Sequence, residues 1–430
     1  MLSSQEKISE VTGQQKKLLV LDTSYSLEDI LKRGILNSVT CRDLDGYFKH
    51  VWTVHPSATL VTSKEWTPKY GKPVWHSINS IHTFIEGKLG RFAWLKWLSP
   101  VNFFIGQFGL FFSLKRLIKK EKISLIRAGD PLYLGLFGWA LSRVCKIPFV
   151  VRVGGNHDKV FETTGRPMQK RIFFNRKIEK KVERFVLSRA DLVAGANNDN
   201  LNFALANGAR KEFTTIFRYG NLLYAGHFIS PEKRKEGTTL LNKIGLTPHQ
   251  FLLYIGRLEK VKHPEHVIQV LADVRKNDHN VKVLLVGGGT MLAELKEIAK
   301  DLEIENRVVF AGNQNQEWIS RIIPLAAVVL SPHTGRALSE AALGKVPVVA
   351  YDVDWQSELI ENEVTGLLVT HPVQKDFTLA TERFLNDREF AKSMAEQLQK
   401  KAFDMLHPDQ LNQHEINEYE RLFTRIKKDK

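Results

Sequence analysis

Between Phe251 and Tyr351 five short apolar runs recur: FLLYIG (251–256), VKVLLVG (281–287), RVVFAG (307–312), AAVVLS (326–331) and VPVVAY (346–351). No other feature constrains the fold so strongly. The runs are continuously apolar and rich in β-branched residues, the pattern of strands covered on both faces. The segments between them have helical period: Val267, Leu271 and Val274 share one face, and so do Leu292, Leu295 and Leu302. Strands alternating with helices predict a parallel sheet flanked by helices. Such sheets bind ligands outside the carboxyl ends of their strands.

The first half repeats the theme more loosely, through KKLLVLD (16–22), HVWTVH (50–55), PVWHSI (73–78), ISLIRAG (123–129), PFVVRVG (148–154) and ADLVAGA (190–196). The stretch FFNRKIEKKVERFVLSRA reads as a helix with Phe174, Ile178, Val182 and Phe185 on its apolar face. A chain of 430 residues is too long for one core. The fold class expected is α/β, with two Rossmann-like parallel-sheet domains. Periodicity fails from Asn221 to Gly237, so the predicted organisation is a domain over 1–220, a linker over 221–240, a second domain over 241–405 and a helix over 406–430. That last segment is amphipathic through Leu411, Ile416, Tyr419, Phe423 and Ile426, with Asp409 as its expected cap.

The formal net charge of +15 calls for an anionic partner: nucleotide phosphates, acidic lipid headgroups or nucleic acid. The chain shows no nucleic-acid-binding module, so charge alone carries that last reading and the expectation is no nucleic acid. Cys41 and Cys145 are the only cysteines, and the first 17 residues are polar without an apolar signal core. Both point to a reduced, cytoplasmic protein. Two apolar stretches, Val101 to Leu114 and Leu132 to Cys145, are shorter than the roughly 18 to 20 residues of a spanning helix. The second reads as a buried helix. The first follows RFAWLKWLSP and precedes KRLIKKEK, and aromatics beside lysines and arginines suit either burial or an anionic membrane surface.

Three loops at strand ends carry polar groups. After FLLYIG, Gly256 leads to Arg257 and Lys262, which suit a diphosphate, or form a solvated basic loop. After VKVLLV come Gly287, Gly288 and Gly289. They fail as a dinucleotide fingerprint, because the third glycine is misplaced and no acidic residue ends the next strand; they read as a tight turn near a ligand. After AAVVLS comes PHTGRALSE. There Gly335 admits close approach, the amides of Arg336, Ala337 and Leu338 open a helix, and Glu340 sits one turn in. A carboxylate so placed can accept from vicinal ribose hydroxyls, or simply stabilise the helix start.

In this order and at these separations, YIGRLEKVKHPE, LLVGGGTMLAEL and VVLSPHTGRALSEAALGKVPVVAYD resemble the C-terminal domain of the group 1 (family 4) retaining glycosyltransferases, of GT-B fold. The resemblance covers residues 250–370 well and 120–220 more loosely. It implies two domains facing a cleft that closes about a hinge, with the terminal helix returning to the first domain. It further implies a nucleotide-sugar donor, a glycan or lipid-linked acceptor, retention, and no metal or other cofactor. Arg257 and Lys262 would neutralise the departing diphosphate. Gly256, Gly288, Gly335 and the amides of 336–338 would line the donor site, and Glu340 would read the ribose. Three positions depart from the family pattern. His263 stands where a glycine is usual. Pro332 replaces the first of two signature glutamates, leaving His333 as the nearest polar side chain to the sugar. Asp354 and Trp355 replace a glycine pair before Glu358. Asp352 and Asp354 form an Asp-x-Asp pattern, a metal signature of another fold that reads as coincidental here. In the first domain, His157 would face the donor sugar, or bond to Asp158 as a loop histidine, and Arg127 to Pro131 would line the acceptor side. The missing glutamate motivates an alternative, a non-catalytic sugar-nucleotide-binding or interaction subunit of the same ancestry. The aromatic-basic stretch 92–120 and the net charge imply peripheral attachment to the cytoplasmic face of a membrane.

Overall fold

The computed structural model describes residues 15–60, 68–231, 236–276, 280–333 and 335–428. The chain forms two compact units: Met1–Arg218 with Asp409–Lys430, and Tyr219–Pro408. The first unit carries an eight-stranded sheet of β1 (Lys17–Leu21), β2 (His50–His55), β3 (Val74–Ser77), β4 (His82–Glu86), β5 (Leu125–Ala128), β6 (Phe149–Val153), β7 (Leu192–Gly195) and β8 (Thr214–Ile216), in the order β3-β4-β2-β1-β5-β6-β7-β8. Among the described strands only the edge strand β3 runs antiparallel, against β4. The second unit has β9 (Phe251–Ile255), β10 (Lys282–Val286), β11 (Val308–Gly312), β12 (Val328–Ser331), β13 (Val348–Tyr351) and β14 (Leu367–Val369). Their order is β11-β10-β9-β12-β13-β14, all parallel.

The apolar runs explain these sheets. Leu252, Leu253, Val283, Leu284, Val328, Val329, Val348 and Val349 are all 3% exposed or less, because helices cover both faces. One layer brings Val267, Leu271 and Phe377 against the sheet, the other Leu338, Ala341 and Leu398. Three short strands, β4, β8 and β14, escape the sequence pattern because none presents a long apolar run.

Two local expectations change. The stretch read as a linker holds helical turns at Gly220–Leu222, Ala225–Phe228 and Gly237–Asn242, and Leu223, Leu241 and His227 are buried in the second unit; residues 232–235 lie outside the described residues. The helix Arg176–Leu187 also turns a different face inward: it buries Arg176, Glu179, Glu183, Val186 and Leu187, leaving Ile178 39% and Phe174 72% exposed. The reason is pairing. Arg176 bonds Glu183 at 2.7 and 2.8 Å, and Glu179 accepts the amide of Gln169 at 2.7 Å. Satisfied charges can be buried where a hydrophobicity count would place them outside.

The helix Pro408–Lys428 packs on the first unit, with Tyr419 and Leu422 in the core formed by Leu18, Val20 and Val150. Asp409 lies inside its first turn rather than at its cap.

Candidate functional site

In the second sheet the chain runs outward from β9 to β11, then returns to β12 beside β9 and runs outward the other way. The crevice at such a reversal is where open parallel sheets bind nucleotides. The loops leaving β9 and β12 therefore frame the site, and they hold Gly256, Arg257, Lys262, His333, Gly335 and Arg336.

Lys262 and His333 meet across this reversal: Nζ of Lys262 donates to Nδ1 of His333 at 3.0 Å. Burial, followed by the charge of Arg257, brings the Lys262 ammonium down to about 8, with Asp354 opposing. Two cations facing one small space are a poor arrangement by themselves and a good one around a polyanion.

The glycines after β10 act by letting loops touch. Gly287 adopts φ +139°, and a Cβ there would lie 1.9 Å from the carbonyl oxygen of Gly256. At Gly289 a Cβ would come within 2.3 Å of the Leu258 carbonyl oxygen. The carbonyl of Gly288 accepts the Leu258 amide at 3.0 Å, and Glu259 accepts from the hydroxyl of Thr290 at 2.7 Å. The loop that bears Arg257 and Lys262 is thus braced by the glycine loop, and Gly256 is itself crowded by the Tyr254 hydroxyl, which bonds the Arg257 carbonyl at 2.9 Å.

Beyond β12 the helix Arg336–Leu343 begins without a side-chain cap, since its cap residue is Gly335. The φ of Gly335 is 178° and an added Cβ would meet no described atom within 4 Å. Its value is therefore the open approach to the helix start and not a special backbone conformation. Of the three amides expected to face phosphate, that of Leu338 is already donated to the Gly335 carbonyl at 3.2 Å, and the Leu338 side chain is buried. The amides of Arg336 and Ala337 occupy the helix start, where the dipole favours an anion.

Glu340 is 2% exposed. Burial pushes its carboxyl above the usual range, against the Arg336 charge and a hydrogen bond from Gln316. Its Oε1 lies 3.1 Å from Nε of Arg336 but has no properly aligned hydrogen bond among the described residues. A buried carboxylate oxygen left in this state is costly unless something binds it. Gln316 also bonds the His227 ring at 3.0 Å, so the stretch read as a linker contributes to the support of Glu340. Gln356, fully buried, ties the strand ends together by bonding the Ser331 hydroxyl at 2.7 Å and the Tyr351 carbonyl at 2.7 Å. Amides such as Gln316 and Gln356 carry no sequence signature; their role depends on what folding places beside them.

His263, Glu265 and His266 bring possible metal-ligand atoms within 4.8 Å of one another. Two imidazoles and a carboxylate suit a divalent transition ion. Here they bond among themselves and their neighbours: His263 to Glu265 at 3.2 Å, His266 to the Tyr351 hydroxyl at 2.8 Å and His371 to His263 at 3.3 Å. Asp354, of the Asp-x-Asp pattern, acts instead through its charge on Lys262 and His371.

The sequence candidates of the first unit are placed differently from expectation. His157 is not in a loop but opens the helix His157–Thr164, 5% exposed. Its Nδ1 bonds Glu183, not Asp158, at 2.7 Å. Arg127 does not line a ligand site: it is buried on β5, paired with Glu415 at 2.5 Å and with the Tyr419 hydroxyl at 3.3 Å. Asp130 sits at the carboxyl end of β5, where burial raises it to about 6 despite the Leu132 amide. The same edge holds a group without a sequence signal. His55, Glu86 and Lys88 are each 3% exposed or less. Among the described residues, both Glu86 oxygens, the Lys88 ammonium and Nε2 of His55 make no hydrogen bond, although Nε2 of His76 lies 3.4 Å from Glu86. Burial holds His55 near 4 and lowers Lys88.

A sheet of this order, with cations and an uncapped helix start at its reversal, is an arrangement that open α/β sheets use to bind nucleotides. Residues 240–401, which hold this site, match the model of the glycosyl transferases group 1. It is 24% identical over 270 residues to the alpha-D-kanosaminyltransferase of Streptomyces kanamyceticus, covering 60% of this chain and 67% of the relative. The alpha-monoglucosyldiacylglycerol synthase of Streptococcus pneumoniae is 24% identical over 258 residues, covering 59% and 57%. The chain thus spans little more than half the length of some curated relatives. Among solved structures, Anabaena HepE in complex with UDP superposes with a TM-score of 0.70 at 19% identity, over 94% of this chain and 100% of that one. Sucrose-phosphate synthase from Thermosynechococcus elongatus gives 0.71 at 17% identity, over 95% and 100%. The two parallel-sheet α/β units are those of the GT-B fold.

Proposed function

We propose that the chain transfers a sugar from a nucleotide-diphosphate sugar to a glycan or lipid-linked acceptor, with retention and without metal. The observation that carries the donor assignment is Glu340, a buried carboxylate paired with half-exposed Arg336, one turn into a helix whose start lies beside the reversal framed by Arg257 and Lys262. In this reading Glu340 accepts from the ribose hydroxyls, and the amides of Arg336 and Ala337 meet phosphate oxygens. Arg257 and Lys262 neutralise the diphosphate as the bond from the anomeric carbon to the phosphate oxygen breaks, stabilising the leaving group electrostatically. His333, next to the Pro332 that stands at the first signature glutamate, orients Lys262. HepE has been solved with UDP and with UDP-glucose, which puts UDP-sugars first among donors. The diacylglycerol relative supports a lipid acceptor.

A thermal-shift panel of UDP-, GDP- and ADP-sugars tests the reading. At 100 times Kd a donor should stabilise the protein by about 2.7 kcal/mol. Arg257→Ala should remove the shift. A panel without any shift defeats the donor assignment. A shift without transfer or donor hydrolysis would instead support the non-catalytic sugar-nucleotide-binding subunit.

A further inference from the structure

The segment Ala93–Glu121 is the one stretch, among the described residues, long and apolar enough to cross a membrane, yet it is built to do something else. One face belongs to the first unit's core: Leu110, Leu114 and Ile118 are 3% exposed or less. That face also carries polar anchors. Asn102 accepts the amides of Arg91 and Phe92 at 2.7 and 2.9 Å. Gln107 donates to the Pro56 carbonyl at 3.0 Å and accepts from the Tyr133 hydroxyl at 2.7 Å. A helix held along its length by its own domain cannot thread a bilayer.

The opposite face is apolar and uncovered. Trp94 is 70% exposed, Trp97 74%, Phe104 57%, Phe108 64% and Phe112 51%. Phe104, Phe108 and Phe112, four apart, share one stripe of the helix Ser99–Glu121, and Trp94 and Trp97 lie on the helical turns Ala93–Leu98 just before it. No charged residue interrupts Ser99 to Leu114, and then Lys115, Arg116, Lys119, Lys120 and Lys122 follow with Glu121 alone opposing. Phe174 and Ile178 add exposed apolar surface among Lys170, Arg171, Lys177, Lys180 and Lys181. The two patches adjoin through Tyr133, whose ring lies 5.9 Å from that of Phe103 and whose amide bonds Gln169.

We propose that this face docks the first unit onto an anionic bilayer, the helix lying in the interface with its tryptophans and phenylalanines among the acyl chains and its lysines and arginines against the headgroups. A second copy of the chain would have to accept the like charge of this cluster, whereas anionic lipid complements it. Aromatic rings flanked by cations are the composition of interfacial helices. Docking in this pose also brings the carboxyl edge of the first sheet to the membrane. Asn102 is anchored to the loop leaving β4, and Gln107 to the loop leaving β2, the loops that carry Lys88 and follow His55. Resting on the transferase reading, this places a membrane-borne acceptor at the ligand edge of that sheet.

Flotation of the full chain with vesicles of phosphatidylcholine, and of phosphatidylcholine with one-third phosphatidylglycerol, tests the docking without reference to donor binding. The expected result is partitioning at least about tenfold stronger to the anionic vesicles, a blue shift of tryptophan emission, and quenching by brominated acyl chains. The exposed-face variant Trp97→Ser/Phe104→Ser/Phe108→Ser should keep its melting temperature and lose the partitioning. Lys119→Glu/Lys120→Glu should weaken binding and remove the preference for anionic lipid. Equal weak binding to both vesicles overturns the proposal. So does a dimer in lipid-free solution that the triple serine variant converts to monomer. A donor thermal shift that survives while flotation fails would defeat the docking and leave the transferase reading standing.

Discussion

The two units place their buried charges to different ends. In the first, Arg127 finds Glu415, and Arg176 finds Glu183 and Glu179, so that deep charges are paired within the fold. In the second, Lys262 is held down by burial and by Arg257, and Glu340 is paired with an arginine, Arg336, that is itself half exposed. Paired charges hold elements together; cations crowded at a sheet reversal suit an anionic ligand. The carboxyl edge around Glu86 and Lys88 shows that the first unit keeps unsatisfied groups, and that it keeps them where parallel sheets bind.

The largest expected effect tests the structural side. Arg127→Met leaves Glu415 buried without its partner and should destabilise the protein by about 3–5 kcal/mol. Arg127→Met/Glu415→Leu should recover most of that, as read by chemical denaturation. If the single variant were neutral, the contrast between the units would fail. On the ligand side, Arg257→Ala should weaken donor binding by about 2–3 kcal/mol, roughly 30- to 150-fold in Kd, with little change in ligand-free stability. Glu340→Gln should weaken UDP by about 1–2 kcal/mol. The variant should also be indifferent to loss of the ribose 2′-hydroxyl, so titration with UDP and 2′-deoxy-UDP separates a ribose contact from a general loss of fold.

Lys262 gives a pH signature of smaller size. Its folded value of about 8 lies below the ordinary 10.5. Donor affinity, which needs the ammonium, should fall as pH rises through about 8, by at most roughly tenfold per pH unit. Ligand-free stability should move the other way: between about 8 and 10.5 the unfolded chain holds the proton that the folded chain has released, so raising the pH favours folding. Calorimetry at pH 7, 8 and 9 checks both signs. The smallest expected effect is that of chelation. EDTA should leave donor affinity unchanged, because the proposed diphosphate site uses Arg257 and Lys262 and not the His263–Glu265–His266 group.

Much of the second unit is legible in the order of its amino acids. The five apolar runs all form strands, because continuous β-branched sequence has few other solutions. Arg257, Lys262, Gly335 and Glu340 stand out by their place after such runs. The glycine loop is recognisable as a turn, but its bracing of the Arg257 loop is not. His227, Gln316 and Gln356 are invisible, since nothing local distinguishes a buried amide or imidazole from a solvated one. The helix Arg176–Leu187 misleads, because counting apolar residues assumes that charges face water, and here Glu179 and Glu183 face partners.

What the sequence determines by itself is periodicity and order: which segments are strands, which loops leave their carboxyl ends, and where cations and a carboxylate fall on those loops. These are local properties, set by sterics and by the spacing of apolar side chains. The tertiary structure alone decides the pairing of charges. Arg127 has the place of a ligand contact, but folding brings Glu415 to it from 288 positions away. Phe174 and Ile178 have the spacing of core residues, but Glu183 takes the inward face. The energy of a buried charge depends on the partner that arrives, and that partner comes from a distant part of the chain.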